Sequence, residues 1–342
     1  MISGATANIE FYLPLVWAII IGVAVVMYVL MDGFDLGIGI LFSVNKDEHE
    51  RDLMMSSVAP FWDGNETWLV MGGAGLFVAF PAAYALFMPA LYLPIIVMLL
   101  ALVFRGVAFE FHVVAGPQKH YWHTAFWLGS TLAAFCQGVI LGGLIQGIPA
   151  KDGAFAGGAF DWATPFSALC GLGVVAGYAL LGATWLAMKV EGPVAERMRQ
   201  HAKFLIPVVL VLMGAVSLWT PLAFDRIAQR WFSTPNIYFL WPVPLLTALL
   251  AYAAWRWLDA GREVPPFLAT MGLFLLGFLG LAISVFPYLI PPSLTIWQAA
   301  AAPDSQFFML AGTLVLLPLI LGYVVFVYWL FRGKVAAGAS YH

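Results

Sequence analysis

A charge inside apolar sequence is costly and persists where it is paired or put to use. The ionisable residues within hydrophobic runs are therefore the first candidates for chemistry. This chain has three such places. Met31-Asp32-Gly33-Phe34-Asp35-Leu36-Gly37 sets two carboxylates three residues apart, on one face of a helix. Ala59-Pro60-Phe61-Trp62-Asp63-Gly64-Asn65-Glu66-Thr67-Trp68 repeats that spacing with Asp63 and Glu66. Phe104-Arg105-Gly106-Val107-Ala108-Phe109-Glu110 supplies a cation and a fifth acid. Carboxyls in apolar surroundings must be protonated, paired or beside water. They can pass protons or hold an ion, with Arg105 and Glu110 as charge partners. The structural alternatives are as concrete. Asp32 and Asp35 can form a solvated or capped helix end, Asp63 and Glu66 can link helices by hydrogen bonds, and Arg105 can snorkel to an interface.

Other chemistry is sparse. Cys136 and Cys170 stand alone in apolar stretches and read as small core residues, not as a disulfide or metal site. The 13 methionines are scattered as packing residues, and neither a glycine-rich phosphate loop nor a Ser/His/Asp arrangement occurs. A buried haem usually takes at least one axial histidine. His49, His112, His120, His123, His201 and His342 all fall in or near polar connections or the C-terminus. The chain is expected to bind no haem and no metal through ligands of its own, with methionine or cysteine ligation left open.

The surrounding sequence says what must hold these groups. Of 342 residues 63% are hydrophobic, against 15 Lys+Arg and 18 Asp+Glu. The mean hydropathy is +0.92. That excludes a soluble enzyme, a nucleic-acid binder and a disordered chain. The net charge of −3 is too small to imply a charged partner. The first segment lacks a basic n-region and a cleavage site, so it reads as a span and not a removable signal peptide. A crossing needs about 20 apolar residues. The expectation is an all-α polytopic membrane protein of about nine spans, at roughly 11–42, 55–80, 83–110, 121–148, 162–189, 203–222, 235–256, 266–287 and 305–331. The run from Thr67 to Phe104 is divided near Pro81, and the eighth span is ended by Pro287, Pro291 and Pro292. Gly33 and Gly37 form a small-xxx-small pair that lets another backbone approach. Gly153–Asp161 reads as a flexible loop. A faint repeat relates Tyr28-Val-Leu-Met-Asp-Gly-Phe to Tyr178-Ala-Leu-Leu-Gly-Ala-Thr.

With an outside N-terminus and an inside C-terminus, twelve of the fifteen Lys and Arg fall on the cytoplasmic side. At ~1.5 Å per residue, Asp32 then lies near the cytoplasmic boundary. A second span entered at Met54 would carry Asp63 ~14 Å deep, close to the middle of a ~30 Å core.

These blocks resemble subunit II of the cytochrome bd-type quinol oxidases. The resemblance rests on the Asp32–Gly37 and Ala59–Trp68 blocks and on Phe104-Arg105 through Glu110. Phe286-Pro287-Tyr288 and a last span with Pro318 add to it. It implies two four-helix bundles plus one additional helix in a bacterial cytoplasmic (inner) membrane. The complex it implies oxidises quinol and reduces O2. Haems b and d and the quinol site are expected in subunit I, which pairs with this chain. Small single-span subunits, membrane lipid and a structural quinone within subunit II are further expectations, with no residue assigned to the quinone. By the same resemblance Asp32, Asp35 and Asp63 belong to a path for cytoplasmic protons, and Trp68 to a route for O2. Some relatives carry Gln at the position of Glu66. The short Pro221–Pro235 connection points to the cyanide-insensitive branch.

Two other readings compete. An ion- or proton-coupled secondary transporter would use Asp63 and Glu66 as its ion site, although spans five to eight offer no matching acid. A purely structural assembly subunit would differ only in that the acids carry no protons. The charge asymmetry is checked by fusion after His342: a fluorescent protein there should glow and alkaline phosphatase should be inactive. Active phosphatase would reverse the orientation.

Overall fold

The computed structural model describes residues 2–335, with side chains from residue 10 onward; His342 lies outside the described residues. Helix α1 (Ile2–Leu41) runs into a turn, and α2 (Glu48–Ser56) follows, capped by Asp47, which accepts from the Glu50 N–H at 3.0 Å. Next come α3 (Trp62–Ala79), α4 (Pro81–Ala90), α5 (Tyr92–Val114) and α6 (Lys119–Gln146). A hairpin of β1 (Ala150–Lys151) and β2 (Ala154–Phe155) leads to α7 (Pro165–Lys189), so an ordered hairpin opens the stretch read as a flexible loop. Then follow α8 (Pro193–Ala223), α9 (Asp225–Phe232), α10 (Asn236–Leu240), α11 (Pro242–Asp259) and α12 (Val264–Val285). A second hairpin, β3 (Tyr288–Ile290) and β4 (Leu294–Thr295), precedes α13 (Ile296–Ala299) and α14 (Pro303–Leu330).

Eight described stretches are long and apolar enough to cross a membrane: α1, α5, α6, α7, α8, α10–α11, α12 and α14. The sequence reading counts nine. The difference is α3, which at 18 residues has the length but carries Asp63, Asn65 and Glu66 in its first two turns.

Three boundaries depart from expectation by several residues, all beside prolines. The second span does not begin at 55. Pro60 has no N–H to continue α2, the chain turns through 57–61, and α3 starts at Trp62. The third span does not begin at 83. Pro81 opens the short α4, and Pro94, unable to donate to the Ala90 carbonyl, forces a restart at Tyr92. Helix α8 also begins ten residues earlier than read, at Pro193.

Helix α1 packs against α3, α6 and α7, while α5 pairs with α6, α7 with α8, and α11 with α12. The α1–α7 crossing depends on glycine. A Cβ on Gly37 would overlap the Tyr178 carbonyl, and one on Gly182 would meet the Gly37 backbone. The connections that the charge count assigns to one side do lie at one end, joined by the ion pairs Arg197–Glu50, Lys203–Asp259 and Lys334–Glu263. The Arg197 guanidinium holds the Glu50 carboxyl below its usual range. This end is called the basic end below.

Candidate functional site

Because α1 continues to Leu41, Asp32 and Asp35 sit about two turns before its end, inside the packed bundle. Both are 0% exposed, as is Arg105 on α5. The arginine is the hub. It forms an ion pair with Asp32, stands 3.8 Å from Asp35 Oδ2, and donates to Glu66 Oε2 at 3.1 Å. Trp62 and Phe109, stacked 5.0 Å apart, wall the guanidinium at 5.6 and 5.7 Å. Asn65 on α3 donates to Asp35 Oδ2 at 2.8 Å and to the Met31 carbonyl at 3.3 Å. The Tyr328 hydroxyl on α14 donates to Asn65 Oδ1 at 2.9 Å. Three helices thus meet at one guanidinium, and α14 joins them through Asn65.

The charges do not balance. Three carboxyls share one cation, and two like charges 4 Å apart repel by about 4 kcal/mol at an effective dielectric near 20. The surplus must be met by a proton or a cation. Among the described residues Asp32 Oδ2 and Asp35 Oδ1 are buried acceptors without a hydrogen-bond partner, and they are the atoms at which a proton can sit. Glu66 keeps 28% of its side chain exposed and is the member that reaches the outside.

A second polar chain starts beside Asp32, which is near enough to Tyr28 and Tyr178 to act on both electrostatically. Gln137 on α6 donates to the Tyr28 hydroxyl at 2.8 Å, and the Tyr178 hydroxyl donates to Gln137 Oε1 at 2.6 Å. The two tyrosines of the faint repeat therefore meet at one amide.

Of the residues singled out from sequence, Asp32, Asp35, Glu66 and Arg105 come together, and Asp63 and Glu110 do not. Asp63 is exposed in the first turn of α3, because that helix begins at Trp62 and not near Met54. The helix start near Met54 read from the sequence is corrected accordingly. Glu110 is exposed on α5. Asp32 and Asp35 are the reverse case: they are sealed in the bundle, not a solvated helix end. Arg105 is paired and does not snorkel. Trp68 is 2% exposed, packed with Tyr28 and Met31 of α1 and against Leu317 and Leu321 of α14. Sequence reasoning missed Asn65, Tyr328, Tyr28, Gln137 and Tyr178. Gln137, a lone amide within an apolar run, carried a usable signal; Tyr328 carried none.

The sequence profile of the cytochrome bd terminal oxidase subunit II family matches residues 13–331. The chain belongs to this family. Subunit 2 of cytochrome bd-I ubiquinol oxidase from Escherichia coli (strain K12) is 28% identical over 370 residues, covering 94% of this chain and 95% of that one. Subunit 2 of cytochrome bd ubiquinol oxidase from Bacillus subtilis (strain 168) is also 28% identical, over 330 residues, with 94% and 96% covered. The structure of bd oxidase from Geobacillus thermodenitrificans matches the fold with a TM-score of 0.73 at 18% identity, over 94% of this chain and 99% of that one. This subunit II is thus a multi-pass membrane component of an oxygen-reducing terminal oxidase, and the transporter reading is not favoured.

A complex of this family carries haem. Among the described residues no group of three or more His, Cys, Asp or Glu is arranged for a metal. The buried histidine, His123, lines a cavity of about 360 Å³ with Phe42, Ser43, Arg51, Thr124 and Trp127. Cys136 and Cys170 are buried and unpaired.

Removing the hub leaves buried carboxylates without a cation, an error that typically costs about 3–5 kcal/mol. Arg105→Leu should therefore abolish recovery of the assembled complex from detergent extracts, while Arg105→Lys, which keeps the charge, should recover part of it. Wild-type yield of the leucine variant would show that the cluster does not hold the helices.

Proposed function

We propose that this chain is the haem-free subunit II of a bacterial quinol:O2 oxidoreductase in the cytoplasmic membrane, and that its carboxyl cluster takes up protons from the basic end. The observation that carries the reading is the set of three carboxyls around Arg105, two of them sealed and Glu66 reaching outward. A relay needs a group that can both take up and release a proton, and three carboxyls around one cation leave room for one. Asp63, exposed one turn before Glu66 and close enough to act on it electrostatically, is the entry. Glu66 hands the proton to Asp32 and Asp35, which hold it deepest in the bundle. The twelve-to-three charge asymmetry makes the basic end cytoplasmic.

The partner is a haem-bearing subunit I. Two matched relatives are named as subunits of ubiquinol oxidases, and a quinol is the proposed electron donor. Trp68, packed between α1 and α14, is the proposed lining of an apolar O2 route.

Expressed without a partner, the chain should be colourless; purified from its native membrane, it should bring haem bands and quinol oxidase activity. Stoichiometric haem in the isolated chain would overturn the haem-free assignment.

Asp35→Asn keeps an acceptor for Asn65 but cannot ionise. The complex should assemble with an unchanged haem spectrum and turn over several-fold more slowly. Asp63→Asn should cost less, because water can bypass an exposed carboxyl. Wild-type turnover in Asp35→Asn would remove Asp35 from the path, and loss of the complex would favour the structural reading.

A further inference from the structure

The polar chain beside Asp32 has a direction, and counting its protons fixes it. Gln137 on α6 stands between two phenols from other helices, Tyr28 on α1 and Tyr178 on α7, which are 4% and 1% exposed. The Tyr178 hydroxyl donates to Gln137 Oε1 at 2.6 Å, and Gln137 Nε2 donates to the Tyr28 oxygen at 2.8 Å. Both lengths suit this orientation of the amide, because O–H···O bonds run shorter than N–H···O bonds. With its oxygen committed to Tyr178, the amide has only donors to offer Tyr28.

One proton is then left to place. Tyr28 carries a single hydroxyl proton, and its oxygen already accepts from Gln137. It lies one turn before Asp32 on the same face of α1, near enough to serve that carboxyl as a hydrogen-bond donor. Asp32 Oδ1 is taken by Arg105, and Oδ2 is the open acceptor. The Tyr28 proton is thus aimed at Asp32. The opposite amide orientation would draw that proton to Gln137 and leave Asp32 facing lone pairs. Donors to a carboxylate favour its charged form, so the amide bears on the proton held beside it. The other groups that act on Asp32 are Asp35 on α1, Glu66 on α3, Arg105 on α5, Tyr178 on α7 and Tyr328 on α14.

On the reading of the cluster as a proton carrier, we propose that Gln137 is its positioning residue: held by Tyr178, the amide fixes Tyr28 as a donor to Asp32 and so sets how tightly the cluster holds its proton. Gln137 touches none of the three carboxyls and acts only through the tyrosine.

The test follows the intact oxidase complex by infrared spectroscopy through a pH titration. The C=O band of the cluster's protonated carboxyl is the one that Asp35→Asn removes, and its loss with rising pH gives a midpoint. Tyr28→Phe takes away the donor to Asp32, and Gln137→Met takes away the group that aims it. Each should raise the midpoint by about one pH unit with the haem spectrum unchanged, the worth of one hydrogen bond to a charged group. The sign is upward because an anion that loses a donor keeps a proton to higher pH. The double variant should move the midpoint no further than Tyr28→Phe alone, since the two residues act in series. If Gln137→Met fails to assemble, Tyr178→Phe, which frees the amide oxygen, takes its place. An unmoved midpoint in Tyr28→Phe, or full additivity in the double variant, would overturn the positioning role while leaving the proton carrier intact. A spectrum in which Asp35→Asn removes no carboxyl band would overturn the proton-carrier reading itself, and the positioning role with it.

Discussion

The basic end of this bundle is organised by the desolvation of one guanidinium. Arg105 has no access to water, so each of its charged neighbours must come from another helix: Asp32 and Asp35 from α1, Glu66 from α3. A buried ion pair adds little net stability, because its attraction mainly offsets the loss of hydration, but a stranded member is expensive. The consequence is register. Neither α3 nor α5 can slide by a turn along α1 without leaving a charge alone in the core. Asn65 and Tyr328 extend the same constraint to α14, whose outward face is otherwise free.

Aromatic packing keeps that end dry. Phe61 stacks on Tyr328 at 4.5 Å, and Trp185 stacks on Phe34 at 4.2 Å while meeting Phe267 edge-on. The ammonium of Lys189 lies over both Phe61 and Trp185 and donates to the Phe331 carbonyl. Rings of this size exclude water cheaply, since their burial is itself favourable. With the α7 and α14 sides filled by rings, Glu66 is left as the partly exposed member of the cluster.

Close backbone approach supplies the rest of the geometry. Where lipid surrounds the helices, apolar burial gives no preference for one helix neighbour over another, and small residues decide which helices touch. Gly37 and Gly182 bring α1 and α7 into backbone contact. That contact places Tyr178 within reach of Gln137, and through it of Tyr28. The polar chain beside Asp32 therefore follows from a crossing that two missing side chains permit.

Composition and hydropathy alone determined the class of the protein, the positions of most long helices and the charge asymmetry, because each is set by residues local in sequence. They also flagged Asp32, Asp35, Glu66 and Arg105, since a charge in apolar sequence is conspicuous wherever it lies. Tertiary structure decided what these groups do to one another. Pro60 delays α3 to Trp62, which brings Asp63 to the surface, and the continuation of α1 to Leu41 seals Asp32 and Asp35 inside. Asn65, Gln137 and Tyr328 enter the site because of which helices are neighbours. Hydropathy counts how much of a segment is apolar, but not which face meets which partner. Burial of a charge, its pairing and its access to water are properties of that meeting.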